Sequence, residues 1–109
     1  MGATKTDFFT QDQNELANFT KALGHPARIA IVQHLIKVQS CVCGDIVNEL
    51  PLAQPTVSQH LKELKNAGII KGTIEGNAIC YCIDETNWER YKKILENLFG
   101  SYKSGKKCC

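Results

Sequence analysis

Six cysteines in 109 residues fall into three close pairs: Cys41 with Cys43, Cys80 with Cys82, and Cys108 with Cys109. Paired thiols suit capture of a soft metal, or oxidation to a disulfide, better than they suit simple packing. Met1 to Thr10 is polar apart from Phe8 and Phe9, so it lacks the apolar core of a signal peptide. No segment approaches the ~20 apolar residues of a membrane span. A cytoplasmic chain is expected, and cytoplasmic cysteines are not expected to form structural disulfides.

Cys41-Val42-Cys43 is the most specific of the three pairs. It lies at the start of a helix expected over Val42 to Leu50, with Ser40 as cap and Asp45 in its early turns. In a regular helix, residues two apart point about 200° away from each other. Both thiols reach one ion only if Cys41 lies at or before the cap and the first turn deforms. A helix amino end also lowers a thiol pKa and favours the reactive thiolate. Cys80 and Cys82 alternate with Ile79, Tyr81 and Ile83 in an expected strand. If the isoleucines and the tyrosine mark the core side, the two cysteines face outward.

The elements that must hold these groups follow from hydrophobic period. Leu16, Phe19, Ala22 and Leu23 mark a helix over Asp12 to Leu23, stopped by Gly24. Pro26 stands at the first position of a second helix that reaches Val38. After the third, Gln54-Pro55 opens a fourth helix running to about Ala67, with Val57, Leu61 and Leu64 as its apolar stripe and Gly68 as its stop. The period then changes to two. Ile70, Gly72 and Ile74 form one strand, Gly76-Asn77 a turn, and Ile79, Tyr81 and Ile83 a second strand. Asp84 or Thr86 caps a last helix to Phe99. The expected fold is mostly α with a two-stranded β-hairpin wing, in the order α-α-α-α-β-β-α: a winged helix-turn-helix. Residues 1–100 are expected to form one winged helix-turn-helix domain, and 101–109 a flexible tail bearing lysines and cysteines.

That layout makes the fourth helix the candidate DNA reader. Gln54, Thr56, Ser58, Gln59 and His60 lie near its amino end, which in helix-turn-helix proteins enters the major groove. Glutamine pairs with adenine, and serine and threonine reach bases or phosphates. Lys62 and Lys65 suit the phosphate backbone, and Lys71 and Asn77 set the wing against it. The net charge of +2 says nothing about nucleic acid by itself. His25, before Pro26, reads as a cap or packing group, and His34 as structural or surface.

The segment Leu23 to Tyr81 resembles the ArsR family of metal-responsive repressors. The stretches "ALGHPARIAIVQHL", "LAQPTVSQHLKELKNAGII" and "KGTIEGNAICYCID" resemble that family's second helix, recognition helix and wing, and "SCVCGD" its cysteine box. The resemblance implies a homodimer built on the first and last helices, bound to double-stranded operator DNA and released by an inducer. Two positions depart from the pattern: Ala53 where the family usually has a serine cap, and Ile46 where the arsenic-type box commonly has a third cysteine. The last helix carries no histidine, which argues against a zinc site there. Arsenite and antimonite favour three sulfurs. Cys41 and Cys43 leave one place, for Cys108 or Cys109 of either subunit or for a small-molecule thiol. Cadmium or lead takes four.

Two mechanisms remain open on these residues: release by a soft metal or metalloid, and release by thiol oxidation. No tightly bound cofactor is implied. An enzyme is not expected, because the chain has no CxxC pair, βαβ pattern or phosphate-binding Gly-rich loop.

Overall fold

The computed structural model describes residues 8–43 and 50–105, with Cys43 described by its backbone. Helix α1 (Gln11–Leu23) starts one residue before its first expected position because Thr10 and Gln13 form a capping box. Gln13 N donates to Thr10 Oγ1 at 3.1 Å, and Thr10 N donates to Gln13 Oε1 at 3.0 Å. Helix α2 (Pro26–Val38) is capped by His25, whose Nδ1 accepts from Ala27 N at 3.0 Å. It ends at Gln39, which adopts the left-handed conformation at φ 55°.

Beyond Gln39 the chain differs from expectation. Val42–Cys43 is a short strand, β1, and not the first turn of a helix. Residues 44–49 of the expected third helix lie outside the described residues, and Leu50, its expected last residue, stands in a bend. The cause is non-local. Val42 pairs with Tyr81 on the open edge of the wing, and its β-branched side chain is buried there.

Helix α3 (Gln54–Asn66) buries Val57, Leu61 and Leu64 against Ile31, Val32 and Leu35 of α2 and Phe19 of α1. Each such burial is worth about 1.5–3 kcal/mol. Gly68, at φ +78°, turns the chain out of α3, where any side chain would also strike the Asn87 amide. Strands β2 (Ile70–Glu75) and β3 (Ala78–Ile83) then pair antiparallel from Ile70↔Ile83 to Glu75↔Ala78. The turn between them has Gly76 first, at φ +63°, as a two-residue hairpin turn with leading glycine requires. The sheet order is β1-β3-β2, so β3 lies in the middle of three strands rather than at the edge of two.

Asp84 caps α4 (Glu85–Ser101), accepting from Asn87 N at 3.2 Å. The helix crosses back to α1. Phe19 stacks on Tyr91 at 4.5 Å and meets the edge of Trp88 at 6.2 Å. Arg90 pairs with Glu15 and lies 3.6 Å from Asp12. Asn87 Nδ2 donates to Gly68 O at 3.0 Å and Tyr91 Oη to Ala67 O at 3.1 Å, tying α4 to the end of α3. The position of the recognition segment therefore depends on both flanking helices.

Candidate DNA interface and cysteine cluster

Gln54, Thr56, Ser58, Gln59, Lys62 and Lys65 are all exposed on α3. Ala53, at the cap position, offers no side-chain hydrogen bond, and only its carbonyl engages the first turn. The amino end of α3 thus keeps its positive dipole uncapped by any side chain, which suits a phosphate. Gln59 Nε2 donates to Glu63 Oε2 at 2.9 Å along the exposed surface. Lys71 and Asn77 are exposed on β2 and in the wing turn. Ile74 and Ile79, opposed near the wing tip, are also exposed.

His60 does not share that face, which corrects the expectation that it contacts DNA. Only 8% of it is exposed. Arg28 Nε donates to His60 Nδ1 at 3.0 Å, and the His25 ring lies 4.5 Å away. Arg28 also donates to Ala22 O at 3.1 Å, so one guanidinium joins α1, α2 and α3. Burial first, and then the charges of His25 and Arg28, hold His60 below the ordinary imidazole pKa. His60 therefore takes up its proton at lower pH in the folded protein than in the unfolded chain, where an imidazole protonates near about pH 6.5. Stability is present above that value and declines as pH falls through it. We expect the urea midpoint to drop between about pH 7 and pH 5. His60→Gln should flatten that profile, and an unchanged slope in the variant would assign the loss to another group.

The cysteines are arranged differently from expectation. Cys80 and Cys82 do not face outward as a pair. Cys80 is fully buried and Cys82 half-buried, while Ile79, expected in the core, is 52% exposed. Cys41 is exposed, and its thiol is hydrogen-bonded with that of Cys82. Burial, followed by that contact, pushes the Cys82 thiol up to about 11. The register sets Cys43 opposite Cys80. Cys80 is disulfide-bonded, against the expectation of thiols throughout. A groove of about 820 Å³ opens beside Cys41 and Cys82, with Leu35, Ile36, Lys71 and Thr73 among its walls. Cys108 and Cys109 lie outside the described residues. Sequence reasoning missed the meeting of the first two pairs. Their common Cys-x-Cys spacing was the available signal, since residues two apart share a face when both segments are strands.

Three helices, a hairpin behind the third and an exposed polar face on that helix define a winged helix-turn-helix protein. The family described as bacterial regulatory protein, arsR family, matches residues 25–71. A cadmium resistance transcriptional regulatory protein CadC homolog of Staphylococcus aureus is 34% identical over 96 residues, which span 87% of this chain and 76% of that protein. An uncharacterised HTH-type transcriptional regulator of Methanocaldococcus jannaschii is 40% identical, covering 75% of this chain and 92% of the relative. Among solved structures, the homodimeric winged helix-turn-helix DNA-binding domain of a possible ArsR-family regulator from Mycobacterium bovis superposes with TM-score 0.63. It is 20% identical and covers 89% of this chain and 90% of that one. The chain belongs to the ArsR family of DNA-binding transcriptional regulators and is not an enzyme. Among the described residues, no helix is long and apolar enough to cross a membrane.

Proposed function

We propose that this repressor works in the cytoplasm as a homodimer, binds operator duplex through α3 and the wing, and leaves it when a thiophilic inducer is captured at Cys41 and Cys43. Gln54, Thr56, Ser58 and Gln59 read base edges, Lys62 and Lys65 hold phosphates, and Lys71 and Asn77 seat the wing. The inducer is arsenite, antimonite or a soft divalent ion such as cadmium, with Cys108 and Cys109 as candidate further ligands. The observation that carries the reading is the place of Cys41. It immediately precedes β1, which is hydrogen-bonded to the wing strand β3, and its thiol touches that of Cys82. Drawing these thiols onto one ion moves β1 against the wing. The two α3 helices of a dimer must stay about 34 Å apart to read successive major grooves, so a small displacement costs affinity.

The test is a titration of reduced protein on its own upstream promoter DNA, followed by fluorescence anisotropy. Release near one equivalent of arsenite, antimonite or cadmium, lost in Cys41→Ser, supports the reading. No release by any of them overturns it. The Cys80 disulfide favours a second reading, in which oxidation is the signal. There, two thiols become a disulfide and give two protons and two electrons to a peroxide. Release by peroxide alone, reversed by reductant, would select it.

A further inference from the structure

Two cysteine pairs far apart in the chain meet on one small sheet. Lys71 opposes Cys82 and Thr73 opposes Cys80 across β2 and β3, and Cys43 opposes Cys80 across β1 and β3. Opposed residues share a face, and so do residues two apart on a strand. Cys80, Cys82, Lys71 and Thr73 therefore lie on one face, and Cys41 reaches that face through its thiol contact with Cys82. On the same face Thr73 Oγ1 is buried without a hydrogen-bond partner. Buried hydroxyls are rarely left so, and an orphan donor beside sulfurs marks a place for an acceptor.

We propose that Cys82 and Cys80 of the wing strand join Cys41, and Cys43 at its register position, to bind one soft divalent cation of the cadmium type between β1 and β3. This deepens the reading above by naming the ligands of its switch, and it does not require Cys108 or Cys109. With Cys80 in a disulfide, the described residues hold no ready group of three metal ligands. A thiol or phosphine reductant must first supply two electrons and two protons to that bond, giving two thiols. Binding then releases the thiol protons to solvent and leaves a net negative site. The Lys71 ammonium opposite Cys82 offsets that charge, and the Thr73 hydroxyl donates to a thiolate sulfur. Neither side chain is a ligand; both orient and neutralise.

The experiment uses full-length protein reduced with a phosphine under nitrogen, without DNA, titrated with cadmium chloride. The thiolate-to-cadmium absorption band reads the number of sulfurs bound, and competition with a chelator reads affinity. Cys82→Ser should lose about a quarter of the band and at least about tenfold in affinity, the loss even an outer-shell partner can cause. Cys82 is only half-buried, so circular dichroism should confirm an intact fold; fully buried Cys80 is replaced only as a second variant. Thr73→Val, which removes an unpaired buried hydroxyl, should leave the metal-free fold as stable while weakening cadmium binding. Full band and affinity in Cys82→Ser overturn the site, as does a loss confined to the Cys108→Ser, Cys109→Ser double variant. Cadmium bound through Cys82 without release from the operator leaves this site standing and sinks the release mechanism. Release that ignores Cys82 does the reverse.

Discussion

Alanine at Gln54, Ser58 and Gln59 together is expected to weaken operator binding by about a hundredfold or more while leaving binding to unrelated duplex nearly intact. A good base-reading pair discriminates by about 1–3 kcal/mol, so three lost contacts outweigh any other change to the exposed surface. The fold should be indifferent. All three side chains are exposed, and the only hydrogen bond lost among those described on this face is Gln59 to Glu63, an i, i+4 pair. Such pairs are worth about 0.2–0.5 kcal/mol. Lys62→Ala with Lys65→Ala should behave differently, lowering affinity for every sequence and reducing the salt slope by about 2. Anisotropy on operator and scrambled duplex at several salt concentrations separates the two effects. Unchanged discrimination in the triple variant would remove α3 as the base reader.

The elements that rest on local signals were legible in the residues. Pro26, Gly68, Gly76 and Asp84 each mark a boundary by their own backbone or capping chemistry, and each stands at one. The misreadings have non-local causes. A two-residue strand such as β1 has no period of its own and exists because β3 presents an open edge at Tyr81 and Cys80. Alternation failed at the base of the wing because both faces are covered there. Tyr81 and Ile83 pack on the core, while Cys82 shares its groove with Leu35 and Ile36 of α2. Near the tip, at Ile74 and Ile79, even the apolar side chains of the hairpin escape cover. His60 was legible in principle. Val57, His60, Leu61 and Leu64 follow the i, i+3, i+4, i+7 pattern of a buried stripe, and all four are buried. Its polarity disguised it, and the group that makes its burial tolerable, Arg28, lies on another helix.

The last helix carries the other large expected effect. No residue of α4 is buried, yet Ile94, Leu95 and Leu98 continue the stripe that begins at Tyr91. Exposure grows along it, to 52% at Leu98, 70% at Phe99 and 76% at Tyr102. Phe8 and Phe9, ahead of α1, are exposed as well. Such an unpartnered apolar end suits a second copy of the chain, as the homodimer proposal requires. Leu98→Glu with Phe99→Glu is therefore expected to give a folded monomer, because neither side chain belongs to the core that α2, α3 and the sheet enclose. Operator affinity should fall by about 10²–10⁴, the gain that linking two half-site contacts normally provides. Sedimentation and anisotropy on the same samples decide the matter. A double variant that still sediments as a dimer would place the interface elsewhere. A monomer with undiminished affinity would mean that one α3 and one wing suffice to hold the operator.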